Sequence, residues 1–195
     1  MLFIIIFCIF SYCIGSISSA ILVSACLRLP DPRTEGSKNP GTTNVLRLGG
    51  KKAAVLTLLG DVLKGFIPVW VASQMALTAP EIGAVMLAVV LGHLYPIFFK
   101  FQGGKGVATA LGAVFGLSWP IGLLFLATWG IVVALFRISS AGALVSAFLA
   151  PFYMYAICDI TLAIAMAGVS LLIFWRHRAN IYRLMHGTEP KIGRR

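Results

Sequence analysis

Apolar runs dominate this chain, and polar residues are confined to islands between them. Residues 2–27 form a first run, and others cover 53–77, 82–99, 107–136, 140–157 and 160–175. A helix needs roughly 20 apolar residues to cross a hydrocarbon core about 30 Å thick. Most of these runs match one crossing each. The run at 107–136 is too long for one and carries Pro120 near its middle. The pattern predicts an all-α integral membrane protein.

Charge then orients the runs. Arg28, Arg33, Lys38, Arg47, Lys51 and Lys52 follow the first run, and Lys100 and Lys105 follow the third. Arg137 precedes the run starting at Ser140, and Arg176, Arg178, Arg183, Lys191, Arg194 and Arg195 lie in the tail. The remaining turns carry only Glu81 and Asp159. Basic clusters stay cytoplasmic, so the N-terminus is expected outside and the C-terminus in the cytoplasm. Lys105 and Arg137 then belong to one side, and 107–136 must cross twice, as two short helices turning near Ser118-Trp119-Pro120. Short spans are accommodated by bilayer thinning or by neighbouring helices. The alternative, one kinked span, would put Arg137 outside. The expectation is seven transmembrane helices in one domain, residues 1–195.

Composition sharpens the class. Charged residues make up 11% of the 195, against about 25% in a soluble domain. Mean hydropathy is +0.93. The net charge of +10 points to phosphate and anionic lipid rather than nucleic acid, because no soluble basic module is present. The four cysteines, Cys8, Cys13, Cys26 and Cys158, have no metal-ligand spacing and read as small apolar residues. No metal or cofactor is expected. The N-terminal run lacks a basic leader and a clear cleavage site, and reads as a retained first helix.

Three polar islands share the basic side. In Glu35–Gly50, EGSKNPGTTNVLRLGG, Pro40-Gly41 signals a turn. Ser37, Asn39, Thr43 and Asn44 crowd it and are able to cap backbone amides or meet a ligand. Arg47 adds a planar fork suited to phosphate. In Gly92–Gly112, the stretch FQGGKGVATALG is not a Walker loop, because Gly106 follows Lys105, and no dinucleotide fingerprint occurs. Its chemistry still fits an anion. Gly103, Gly104 and Gly106 let backbone N–H groups approach, the helix from Val107 points its N-terminus at the same place, and Lys105 adds a full charge. A flexible turn contacting headgroups is the plainer alternative. His93 reads as structural on its own. In Arg176–Gly193, His177, Asn180, Ile181 and Leu184 share one helical face, polar at its membrane end. The arginines there suit anionic headgroups. Asp61 and Lys64, at i, i+3 within a run, form an intramembrane pair. Ser139 and Ser140 are placed to cap a helix or touch a ligand.

Together the islands resemble the bacterial acyl-phosphate:glycerol-3-phosphate acyltransferases, the PlsY family. The resemblance rests on SKNPGTTNVLR (Ser37–Arg47), on GHLYP (Gly92–Pro96) with FQGGKGVAT (Phe101–Thr109), and on HRANIYRLMHGTE (His177–Glu189). One departure is Ala141, where related sequences often have leucine. The resemblance implies transfer of a fatty acyl group from acyl phosphate to the 1-hydroxyl of glycerol 3-phosphate, giving lysophosphatidic acid and phosphate. That is the first acylation of phospholipid biosynthesis, at the bacterial inner membrane. It implies Lys105, His177, Asn180 and Ser140 as catalytic. It implies Ser37, Asn39, Thr43, Asn44, Arg47, His93, Gly103, Gly104, Gly106, Arg183 and Glu189 as substrate-binding. The partners are the two substrates and membrane lipids; oligomeric state is not legible. The H-x-x-x-x-D signature of other glycerolipid acyltransferases is absent, since Phe98, Tyr182 and Lys191 stand at the aspartate position. Acyl phosphate is already activated, so charge neutralisation and orientation matter more than a protein nucleophile. His177 is expected to position first and act as base second. The competing class is a transporter or flippase for a phosphorylated solute or lipid, which would bind near the midplane between inverted repeats.

Overall fold

The structure is a computed structural model that describes residues 1–193; Arg194 and Arg195, counted above in the basic tail, lie outside the described residues. Among the described residues there are nine α-helices, one 3₁₀ turn and no strand. The first apolar run is two helices, α1 (Leu2–Gly15) and α2 (Ser19–Cys26), separated by a break over Ser16–Ser18. Helix α3 spans Thr42–Gln74 and is interrupted at Gly50, whose φ of 73° requires a residue without a Cβ. The polar segment up to Gly49 is thereby set apart from the apolar stretch that follows. Helix α4 (Ala79–Leu94) leads through the 3₁₀ turn Ile97–Phe99 to α5 (Val107–Leu117). Then come α6 (Trp119–Phe136), α7 (Ser139–Ile157), α8 (Ile160–Arg176) and α9 (Arg178–Met185).

The expected reversal is present: α5 ends at Leu117 and α6 starts at Trp119, with extended Ser118 between them and Pro120 in the first turn of α6. Lys105 before α5 and Ser140 in α7 lie at the same end of the bundle, joined through Asn180 and Glu189. A single span over 107–136 is therefore excluded. Five segments are long and apolar enough to cross a membrane unaided, and a sixth if α8 and α9, bent by 65°, count as one. Helix α5, with 11 residues, is about 16 Å long and spans about half the hydrocarbon core.

The two acidic residues in the turns away from the basic clusters begin helices at the opposite end. Glu81 accepts from the Thr78 N–H (2.8 Å) and hydroxyl (2.7 Å) at the start of α4. Asp159 accepts from the N–H groups of Thr161 (2.6 Å) and Leu162 (3.0 Å) at the start of α8. Each supplies acceptors that the first helical turn lacks.

Helix α4 is central, touching α1, α3, α5 and α8, and buries Val85, Met86, Val89 and Val90. The perimeter is apolar: Leu59 and Leu63 of α3, Phe148 and Phe152 of α7, and Leu171 of α8 are exposed. A soluble protein rarely exposes so much apolar surface. Helices in lipid associate through close packing of small residues rather than through exclusion of water. That device joins two of the closely packed pairs. Gly15 and Gly92 bring α1 onto α4, where a Cβ would strike the Val89 and Tyr12 carbonyls. Gly65 and Gly112 bring α3 onto α5, against the Thr109 and Val62 carbonyls.

Gly112→Leu is expected to force α3 and α5 apart at a cost of about 3 kcal/mol or more. Gly130→Ala, where nothing lies within 4 Å, is expected to leave stability unchanged or raise it by up to about 1 kcal/mol. Thermal unfolding in detergent compares the two; equal midpoints would refute the packing argument.

Candidate active site at one end of the bundle

The site is built on the α4–α5 connection. Lys100 (φ 54°) and Phe101 (φ 59°) turn the chain sharply, a conformation that side-chain-bearing residues adopt only in a determined setting. Gly103 and Gly104 then lie flat on the end of α4: the Gly104 N–H donates to the His93 carbonyl (3.2 Å). A Cβ at Gly103 would fall on that carbonyl, and one at Gly104 on the imidazole Nε2 of His93. Gly106 (φ 87°) caps α5. The first-turn N–H groups of α5 have no acceptor within the helix, and its dipole favours negative charge there. Arg176 clamps the loop from α8, donating from Nη2 to the Gly103 carbonyl (2.7 Å) and from Nε to the Gly104 carbonyl (3.0 Å). Its guanidinium also sits 5.5 Å from the centre of the Tyr95 ring.

Lys105 Nζ donates to Asn180 Oδ1 (2.5 Å), and Asn180 Nδ2 donates to Glu189 Oε1 (2.5 Å). The same oxygen accepts from Ser140 Oγ (2.7 Å), while Glu189 Oε2 accepts from Arg183 Nε (2.6 Å). Glu189 thus joins α7, α9 and, through Asn180, the glycine loop. The Ile192 N–H, donating to the Arg137 carbonyl (2.6 Å), pins the strand of tail that delivers it. Burial opposes the Glu189 charge, but the hydrogen bonds from Ser140, Asn180 and Arg183 outweigh it and hold its pKa below the usual range.

Burial moves Lys105 the other way. Desolvation is the largest influence; Glu189 opposes it, and Arg183, Arg176 and Arg47 reinforce it, leaving a pKa of about 8. His177, just beyond the end of α8, is pushed down to about 4, by desolvation first and by Lys105 second. Its Nδ1 lies 2.8 Å from the Ile173 carbonyl. A carbonyl only accepts, so the single proton of the neutral ring is on Nδ1 and Nε2 is an acceptor.

The first island packs on this loop, with the Pro40 carbonyl next to Gly104. Asn44 is buried and fully committed: its Oδ1 accepts from the Ser37 N–H (2.9 Å) and its Nδ2 donates to the carbonyls of Pro32 (2.9 Å) and Glu35 (3.0 Å). It shapes the turn. Ser37, Asn39, Thr43 and Arg47 make no side-chain hydrogen bond among the described residues, and Ser37, Thr43 and Arg47 are exposed. An open cleft of about 380 Å³ separates Arg33, Lys38 and Pro40 from Gln102, Gly103 and Arg176. His93 lies behind the loop rather than in the cleft, its Nδ1 3.7 Å from Asp61. Ser140 neither caps α7 nor is free; it belongs to the Glu189 network. Arg176, grouped by sequence with the headgroup arginines, is instead a part of the loop. Among the described residues no cluster of metal-ligating side chains occurs.

Comparison with known proteins gives concordant results. The family described as "Glycerol-3-phosphate acyltransferase" matches residues 5–187, a stretch that stops two residues before Glu189. Curated proteins of that name from Methylococcus capsulatus and Thioalkalivibrio sulfidiphilus are 55% and 57% identical, over 94% of this chain and 93% and 91% of theirs. The fold superposes on the crystal structure of PlsY, described as an integral membrane glycerol 3-phosphate acyltransferase. Its glycerol 3-phosphate form gives a TM-score of 0.93 at 37% identity, covering 97% of this chain and 96% of that one. The lysophosphatidic acid form gives 0.90 at 36%, covering 97% and 95%.

If an anion binds at this loop through charged Lys105, sulfate affinity is expected to fall as pH rises through about 8. Glu189→Gln removes the charge that supports the ammonium and moves that decline to lower pH. Sulfate titrations between pH 7 and 9.5 test both; a flat profile would rule out Lys105 as the anion's partner.

Proposed function

Because this chain belongs to the glycerol-3-phosphate acyltransferase family, we propose that it transfers a fatty acyl group from an acyl phosphate to the 1-hydroxyl of glycerol 3-phosphate. The products are 1-acyl-glycerol 3-phosphate and inorganic phosphate. The observation that carries this reading is the place of Lys105: a half-buried ammonium at a helix N-terminus, at the polar end of an otherwise apolar bundle.

The hydroxyl oxygen attacks the acyl carbonyl carbon. The bond from that carbon to the bridging oxygen of the donor breaks, and phosphate leaves. The Gly103–Gly106 backbone, the α5 N-terminus and Lys105 neutralise the phosphate as charge builds on it. Ser37, Asn39, Thr43 and Arg47 form a second anion-binding pole on the facing turn, which Asn44 shapes. His177 Nε2 accepts the hydroxyl hydrogen bond and aligns it. With a pKa of about 4 it is a weak base, and the hydroxyl proton passes to the departing phosphate. Asn180, Ser140, Arg183 and Glu189 hold Lys105 in register, and His93 supports the loop from behind. The fatty chain runs down the membrane-facing side toward a wholly apolar groove of about 300 Å³ formed by Val62, Leu63, Phe66, Phe115 and Trp119.

In this reading the protein is a single seven-crossing domain of the bacterial inner membrane, with α5 as a half-length crossing and the site on the cytoplasmic face. A transporter would place its polar groups near the midplane. Here the three polar islands meet at one end.

Purified protein given acyl phosphate and glycerol 3-phosphate is expected to release phosphate and lysophosphatidate in equal amounts, and Lys105→Ala to lose at least about 10²-fold in kcat/KM while remaining folded. Absence of product from the wild type would overturn the assignment. With the native cysteines replaced, Lys100→Cys is expected to react with an impermeant thiol reagent from the cytoplasmic side and Glu81→Cys from the other. Labelling of both from one side would reverse the crossing count.

A further inference from the structure

Three buried charged or titratable groups lie together below the glycine loop, and two of them, Asp61 and Lys64, have no role in that chemistry so far. Asp61 and Lys64 face inward from α3 and His93 from α4, all more than nine-tenths buried. Lys64 Nζ is 2.9 Å from Asp61 Oδ1, within ion-pair distance though not in hydrogen-bond alignment. Nζ also donates to the Ile17 carbonyl (2.7 Å) in the break between α1 and α2. Among the described residues Lys64 thus has a hydrogen-bond partner and the Asp61 side chain does not. Asp61 Oδ1 and His93 Nδ1 face each other at 3.7 Å, and neither has a hydrogen-bond partner among the described residues. The opposite edge of the same imidazole, Nε2, lies against Gly104.

We infer that Asp61 is a positioning residue for the anion-binding loop, acting through His93. A carboxylate facing Nδ1 at 3.7 Å favours the ring proton on that nitrogen and biases the ring orientation electrostatically. That ring is the floor on which Gly104 rests. The absence of a Cβ at Gly104 is what allows this approach, and the Gly104 N–H bonded to the His93 carbonyl fastens the same point a second time. The loop amides that meet an anion therefore take their position from a charge in the membrane interior. A structural ion pair alone would need only Asp61 and Lys64. It gives no reason for a histidine at the third corner with its far edge under the loop. This inference rests on the loop binding a phosphate, as proposed above, but not on the identity of the acyl donor.

A mutant cycle tests it. Lys64→Met accompanies Asp61→Asn in every variant, so that no unpaired ammonium is left buried. Inorganic phosphate affinity, the KM for each phosphate-bearing substrate, kcat and thermal midpoint are measured for four proteins. These are the wild type, Asp61→Asn/Lys64→Met, His93→Gln and the triple variant. Asp61→Asn/Lys64→Met and His93→Gln are each expected to weaken phosphate binding about tenfold and to raise the KM of the substrate held by the loop to match. The triple variant is expected to be no worse than either parent. Effects that multiply to about 100-fold in the triple variant overturn the inference. So does normal phosphate affinity in Asp61→Asn/Lys64→Met, which would leave the pair a purely structural one. If wild type binds phosphate but makes no product, the acyl-transfer reading fails while the phosphate cycle still decides this one.

Discussion

A carboxylate with almost no access to water organises the working end of this protein. The Glu189 side chain is 7% exposed, and an unpaired charge in that position would be strongly destabilising. Its two oxygens are satisfied by Ser140, Asn180 and Arg183, residues drawn from two helices far apart in sequence. Asn180 passes the constraint on to Lys105 by using its oxygen for the ammonium and its nitrogen for the carboxylate. Loss of the carboxylate would leave three donors without an acceptor and Lys105 without its nearest countercharge. Accurate placement of a lysine in a glycine-rich, hence compliant, loop is achieved from outside the loop.

The same economy governs the membrane-embedded part. Lipid offers no hydrogen bonds, and several buried polar side chains are partnered within the bundle, while the hydroxyls of Ser24, Thr57 and Thr109 have no partner among the described residues. Ser170 donates to the Ala147 and Met166 carbonyls, and Thr128 meets Tyr153 between α6 and α7. The Asp61–Lys64–His93 group is the exception in charge, and it lies where α3, α4 and the loop converge. Helix contacts made through glycine bring backbones close enough for such short polar reaches.

Much of this was legible in the sequence because its causes are local or periodic. The apolar runs gave the helices, Pro120 and the matched charges at Lys105 and Arg137 gave the reversal at Ser118, and the glycines around Lys105 gave the loop. Glu81 and Asp159, set apart by charge, proved to be helix caps. What escaped was long-range. Arg176 looks like any basic residue at a membrane border until its reach to Gly103 and Gly104 is seen. Asn44 and Ser140 read as able either to cap backbone or to meet a ligand, and the partners their polar atoms take, among them Pro32, Glu35 and Glu189, are ones that no periodicity reveals. The breaks at Ser16–Ser18 and Gly50 were hidden inside apolar or amphipathic patterns that a continuous helix would also satisfy.

The break at Gly50 and the bend before α9 leave the polar ends of both segments beside the mouth of the site, while the opposite end of the bundle is closed by short capped turns. Under the proposed activity, a product with one fatty tail is then delivered to a single leaflet. Each turnover adds area to one monolayer and none to the other. Growth of the membrane would therefore begin as an imbalance between leaflets, relieved only when lipid crosses by some other route. Under that activity, the one-ended design of this small bundle would set the direction from which new bilayer is built.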